Sequence, residues 1–244
     1  MAGSTVKTEA VVLRSIRYGE ADRILHLYSN TRGRLNAIAK GARKPKSRFG
    51  GRLEPFFRLD LLLHEGRSEL LTVTSATTVD GYPRLRSSGP ALTAGARACD
   101  AVLRLLDSAE ANPPAYNLLC RYLSLLDDPD PAVAEGAADL RTALSFRLKL
   151  ALVAGFVPEL AGCARCGEDE HLVGFSGAAG GVVCAGCESD AFPLGEEAHR
   201  FMVAALAQPL SEAPPAEPLA LRQVERAVGE TLEHHAHVQL RAAA

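Results

Sequence analysis

Arg32-Gly33-Arg34-Leu35-Asn36-Ala37-Ile38-Ala39-Lys40-Gly41-Ala42-Arg43-Lys44-Pro45-Lys46-Ser47-Arg48-Phe49-Gly50-Gly51-Arg52 is a short apolar strand, Leu35 to Ala39, running into a basic loop. Lys40, Arg43, Lys44, Lys46, Arg48 and Arg52 follow one another with no acid between them. Pro45 and the pair Gly50-Gly51 exclude a helix there. The expectation is a cluster of cations on a mobile loop with one aromatic, Phe49, among them. Phosphate backbone suits such a cluster. A solvated surface loop has the same composition, so the rest of the chain must decide.

Working outward, residues 5–80 read as β. Val6 to Ile16 and Ile24 to Tyr28 are β-branched runs. Phe57, Leu59, Leu61 and Leu63 alternate with Arg58, Asp60 and Leu62, the pattern of a half-buried strand. His64-Glu65-Gly66-Arg67 reads as a hairpin turn, with Glu69 to Val79 returning. Five short strands with a long loop between the third and fourth suit a small closed barrel. A five-stranded OB-fold, which commonly binds oligonucleotides, fits best, and an SH3-like barrel is the alternative.

Charge supports a nucleic-acid-binding head. Residues 1–58 hold thirteen Lys/Arg against four Asp/Glu, and the rest of the 244 residues holds fourteen against twenty-five. The net charge of −2 hides this asymmetry. Met1-Ala2-Gly3-Ser4 leads straight into a polar strand, and no apolar run approaches the ~18 residues of a membrane span. A cytoplasmic protein is expected, whose six cysteines would bind metal or sit in a core rather than form disulfides.

Beyond Tyr82-Pro83 and Ser87-Ser88-Gly89-Pro90 the period becomes helical. Leu92, Ala96, Cys99, Leu103 and Leu106 form one stripe, and Tyr116, Leu119, Cys120, Leu123 and Leu126 another. Asp130-Pro131 is a helix start, and one helix is expected from there to about Ala154, stopped by Gly155. Helices resume near Glu196–Ala207 and Leu219–Val238. The organisation read from this is a barrel over 1–82, a helical bundle over 83–160 and 192–244, and an insert over 161–191. Inside the insert stand Cys163-Ala-Arg-Cys166 and, seventeen residues on, Cys184-Ala-Gly-Cys187. Two residues between cysteines let both thiolates reach one tetrahedral ion, and Gly167 and Gly186 permit the turns. Four thiolates leave no open position, so one structural Zn2+ is expected. The insert has few apolar residues, and a metal would supply the missing stability. Cys99 and Cys120 read as core residues, and His234, His235 and His237 as a solvated last helical turn. No phosphate-loop, His-Glu-x-x-His or Gly-x-Ser-x-Gly motif is present, which favours a binding protein without catalytic residues.

Thr8-Glu9-Ala10-Val11-Val12-Leu13, Tyr18-Gly19-Glu20-Ala21-Asp22-Arg23, Gly33-Arg34-Leu35, Ala39-Lys40-Gly41-Ala42-Arg43, Ser47-Arg48-Phe49 and Leu53-Glu54-Pro55-Phe56 follow in order. Phe146-Arg147-Leu148-Lys149-Leu150 and Gly155-Phe156-Val157-Pro158-Glu159-Leu160 precede the cysteines. In this order and these motifs, over nearly the whole length, the chain resembles the bacterial DNA repair and recombination mediator family RecO. The resemblance implies an N-terminal OB-fold and a helical C-terminal domain with an inserted zinc module. It also implies binding of single- and double-stranded DNA, strand annealing, and loading of RecA onto strands coated by single-strand binding protein (SSB). RecR, the acidic SSB tail and a functional link to RecF are the implied partners.

From the residues, DNA contacts are expected at Lys40, Arg43, Lys44, Lys46 and Arg48, with Arg14, Arg17, Arg32 and Arg34 as second candidates. With so few aromatics (Tyr18, Tyr28, Phe49, Phe56 and Phe57) and no tryptophan, phosphate contact should dominate base readout. An acidic, apolar-ended tail needs an apolar groove with a cation at its rim. Arg121, Arg147 and Lys149 on the helices are the candidates. A zinc-containing nucleic-acid-processing enzyme such as a nuclease, and an RNA-binding zinc protein, are the competing classes.

Overall fold

Alternation of buried and exposed side chains makes five strands of the first eighty residues: β1 (Ser4–Tyr18), β2 (Asp22–Ser29), β3 (Gly33–Ala39), β4 (Arg58–Glu65) and β5 (Leu71–Asp80). The computed structural model describes residues 4–66, 68 and 70–243, so the expectations for Met1, Ala2, Gly3, Arg67 and Glu69 lie outside the described residues. The strands close as a barrel in the order β1-β2-β3-β5-β4, with β1 pairing both β2 and β4. Closure depends on a short parallel contact, Ala37 to Leu71 and Ile38 to Thr72. Leu25, Leu27, Ala37, Leu59, Leu61, Leu63 and Val73 fill the interior.

The register of β1 slips between Val12 and Arg14. One extra residue, Leu13, reverses which side chains face inward. Val6, Ala10 and Val12 point into the core before the bulge. After it Ser15 lies opposite the core residue Leu25, so Arg14, Ile16 and Tyr18 face out.

The basic loop is a chain of turns held by backbone hydrogen bonds: Arg43 to Ala21, Lys44 to Gly41, Ser47 to Lys44 and Arg52 to Phe49. Pro45 and the glycines prevent a helix, as expected, but Ala42, Phe49 and Leu53 turn into the barrel and join its core. Phe49 is 1% exposed, so it is a plug and not an aromatic offered to ligand.

The chain divides into two compact units, residues 1–128 and 129–244. In the first, α1 (Pro83–Ser87), α2 (Gly89–Leu105) and α3 (Pro113–Leu126) accompany the barrel. The stripe expected on α3 is buried throughout. That on α2 is displaced: Leu92 and Ala96 are exposed, and Ala91, Ala94, Gly95, Ala98, Val102 and Leu105 form the inner face. A Cβ on Gly95 would lie 3.3 Å from Phe56, so close approach selects small residues, which carry little hydropathy signal. Arg58 and Tyr116 both donate to the Glu9 carboxylate, at 2.7 and 2.8 Å, joining β1, β4 and α3. Burial alone would raise the Glu9 pKa; the bonds from Arg58 and Tyr116 outweigh it and hold the carboxyl below its ordinary value.

The second unit contains α4 (Pro131–Ala138), α5 (Leu140–Val153), β6 (Leu172–Ser176), β7 (Gly181–Cys184), β8 (Phe192–Pro193), α6 (Glu196–Ala207) and α7 (Pro218–Ala236). The single helix expected from Pro131 is broken at Asp139, whose backbone is extended and whose carboxylate accepts from the Arg141 amide at 3.2 Å. An aspartate that caps a fresh helix ends the preceding one. Gly155, with φ +83°, closes α5 as its position suggested. Among the described residues no helix is long and apolar enough to cross a membrane.

Candidate nucleic-acid interface and metal centre

Of the expected phosphate-contacting residues, Lys40, Arg43, Lys44, Lys46 and Arg48 are all exposed on the turns that cap the barrel. The Arg43 guanidinium donates to the Gly19 carbonyl at 3.3 Å. Arg48 donates to the Val73 carbonyl at 3.4 Å while its guanidinium lies 4.9 Å from the Phe49 ring centre. These contacts position the two arginines and leave their charge uncompensated. Lys40, Lys44 and Lys46 have no ion-pair partner among the described residues. Three of the four acids of residues 1–58 are already engaged. Asp22 accepts from the Gly41 amide at 2.7 Å, Glu54 pairs with Arg23 at 2.6 Å, and Glu9 pairs with Arg58. Only Glu20 of the four acids in residues 1–58 stays exposed.

The second group of candidates separates. Arg17 and Arg32 are exposed and carry no ion pair among the described residues. Arg14 instead pairs with Asp100 of α2 at 3.0 Å, and Arg34 donates to the Leu103 carbonyl at 3.3 Å. The basic residues that packing brings together are therefore those of the 40–48 turns, with Arg17 at the neighbouring hairpin.

The four cysteines converge. Their sulfurs all lie within 4.8 Å of one another, and those of Cys166 and Cys184 are 3.7 Å apart. A tetrahedral ion with metal–sulfur bonds of about 2.3 Å requires sulfurs about 3.8 Å apart. The set fits one such ion and is too open for disulfides, and all four are free thiols. Gly167, with φ +81°, turns the first knuckle, and its amide bonds back to the Cys163 carbonyl at 2.8 Å. Gly186 needs no such conformation; the second knuckle is a short 3-10 turn, Ala185–Cys187. Backbone hydrogen bonds, that from Cys184 first, pull the Cys163 thiol down to about 6. Hydrogen bonding with the sulfurs of Cys166 and Cys184 pushes Cys187 up to about 12. Four close thiols cannot all ionise unless a cation sits among them. Beneath them lies a small cluster of Cys163, Val183 and Cys184, with Leu172, Ala179, Cys187 and Ala191 packed against it.

The family model Recombination protein O N terminal matches residues 1–82, and Recombination protein O C terminal matches residues 86–243. The chain belongs to the RecO family. It is 40% identical over 229 residues to the DNA repair protein RecO of Rubrobacter xylanophilus, covering 91% of this chain and 89% of that protein. RecO of Geobacter sulfurreducens is 37% identical over 201 residues, 81% of this chain and 79% of its own length. RecO of Anaeromyxobacter sp. strain K is 35% identical over 240 residues, 94% and 91%.

In this RecO-family chain the three helical cations considered for an acidic tail differ in setting. Arg121 is exposed on α3. Lys149 is half-buried and donates to the Leu206 carbonyl at 3.0 Å, closing the end of α6; burial lowers its pKa. Arg147 is 7% exposed, pairs with Glu225 at 3.6 Å and donates to the Arg241 carbonyl. Its charge fastens the C-terminal residues inside the second unit instead of standing at a groove rim. Of the histidines at the end of α7, His235 bonds the Gly177 carbonyl at 2.8 Å.

Proposed function

We propose that this chain is a non-catalytic, cytoplasmic mediator of DNA repair and recombination. It binds single- and double-stranded DNA, anneals complementary strands, and with RecR assists RecA loading on SSB-coated strands in the RecF pathway. Membership of the RecO family supports the role. The observation that carries the DNA-binding part is electrostatic: Lys40, Arg43, Lys44, Lys46 and Arg48 lie exposed on one barrel cap, where Asp22 and Glu54 are already engaged and Glu20 is the one exposed acid of residues 1–58. Phosphate is the ligand such a cap attracts.

The strand order and the parallel β3–β5 closure support reading residues 1–82 as an OB-fold, the DNA-binding part. Residues 83–160 and 192–244 form the helical part and 161–191 the zinc module. One Zn2+ held by Cys163, Cys166, Cys184 and Cys187 supplies cross-linking only, because four sulfurs leave no position for substrate. For the acidic SSB tail, Arg121 is the exposed candidate, with Arg147 and Lys149 acting through the helices they hold.

The test is Lys44→Glu/Lys46→Glu. Affinity for every DNA sequence should fall alike, and the salt slope should drop by at least about 1.4, at roughly 0.7–0.9 per phosphate contact. An unchanged slope would refute the placement. Loss of strand annealing on SSB-coated DNA in the same variant tests the mediator role.

A further inference from the structure

The outer face of β1–β3 is only half covered. Toward the middle of the barrel α2 lies over it, with Arg14 bound to Asp100 and Arg34 bound to the Leu103 carbonyl. Toward the β1–β2 hairpin no helix of residues 1–128 covers it among the described residues. There Ile16, Ile24 and Ile38 stand in one cross-strand row, and Tyr18 opposite Asp22 begins the next. Ile16 is 42% and Tyr18 53% exposed. The other barrel aromatics are withdrawn: Tyr28, Phe49 and Phe56 are buried, and Phe57 is half-buried beneath the Arg86 guanidinium. Tyr18 is thus the one barrel aromatic presented to solvent among the described residues, on the hairpin to which the basic turns are bonded. Lys40-Gly41 abuts Asp22 directly across from it, and the Arg43 backbone and guanidinium are fastened to Ala21 and Gly19 in the same turn.

We infer that Tyr18 is a base-stacking platform for single-stranded DNA, with Ile16, Ile24 and Ile38 continuing the apolar track and Lys40 and Arg43 holding the phosphates beside it. The inference rests on the DNA-binding reading above and adds the strand type. Its chemistry is that of an exposed ring bracketed by cations, which takes an unpaired base of any identity. Glu20, exposed in the turn of the same hairpin, repels a phosphate at the tip and leaves that position to a base. A duplex has its bases stacked inside and engages the same cations through phosphate alone. Single strands should therefore depend on Tyr18 and duplexes should not.

The experiment uses the full chain and labelled oligo-dT, oligo-rU and a duplex of equal length. Tyr18→Ala should weaken oligo-dT binding about tenfold and leave the duplex within about twofold. Tyr18→Phe, which keeps the ring, should restore it. The chain contains no tryptophan, so Tyr18→Trp supplies a single reporter whose emission oligo-dT should quench and the duplex should not. Equal losses on strand and duplex, no rescue by Tyr18→Phe, or emission from Tyr18→Trp that oligo-dT leaves unquenched would overturn the inference. So would a Tyr18 dependence confined to oligo-rU. If the unmodified chain bound neither strand nor duplex, the DNA-binding reading would fail with it. If it bound both, with a salt slope sensitive to Lys44 and Lys46 but no dependence on Tyr18, this inference alone would fail.

Discussion

The basic loop of the barrel and the cysteine insert both contain glycine-bearing turns, yet they are held in different ways. The loop sends Phe49, Leu53 and Ala42 into a core that the five strands have already built. The insert buries Phe175, Val182 and Val183 on its strands, but the knuckles that carry the cysteines rest on a small cluster in which the sulfurs themselves take part. The two solutions differ in which side chains they leave for function. Apolar anchors leave the loop's cations outside and unpaired. Thiolates bound to the proposed ion would be consumed in holding the fold.

The most disruptive way to test this contrast is to remove a sulfur. Cys184→Ser should lose the metal and most hydrogen-exchange protection in β6 and β7. A structural zinc contributes about 10–16 kcal/mol in isolated finger peptides, so a loss of several kcal/mol is expected in the unit spanning 129–244. Unchanged protection, or full stability in a strong chelator, would mean that the insert stands without its ion. The matching change in the loop is Phe49→Ala, expected to cost the barrel about 3–5 kcal/mol in urea unfolding. A cost below about 1 kcal/mol would show that the turns hold themselves. The smallest effect sharpens the comparison with a polar tie. Glu9→Gln should destabilise by about 1 kcal/mol at neutral pH, since its partners are only partly buried. Because the folded Glu9 pKa is lowered, its contribution is present above the unfolded pKa and is lost as pH falls through the folded value. The difference between Glu9→Gln and the unmodified chain should therefore shrink in acid. A difference constant from pH 7 to pH 3 would contradict the ion pair.

The bulge explains why the outer face of the barrel was hard to read. Val6 to Ile16 looks like one buried run, and its period is unbroken in type. Leu13 adds one residue, and Ile16 and Tyr18 then turn outward. The displaced stripe of α2 has a related cause: its inner face is alanine and glycine, and its Leu92 faces water. Hydropathy reports which residues prefer burial, but a helix against a barrel needs residues that are small.

By itself the sequence determined what depends on near neighbours. Period-two alternation set the strands, Asp130-Pro131 and Gly155 set helix ends, and two Cys-x-x-Cys pairs brought sulfurs into reach within each turn. Clustered charge marked residues 40–52 as basic. The tertiary structure alone decided which of those charges stay free. Arg14 and Arg34 are engaged by α2, Arg147 is drawn inward by Glu225, and Asp22 and Glu54 are taken up by Gly41 and Arg23, while Lys40, Lys44 and Lys46 keep their charge for a partner. It also decided that Phe49 is a plug and Tyr18 a surface. The physical reason is common to all of these: pairing and burial are set by residues distant in the chain, and composition carries no record of which of them will meet.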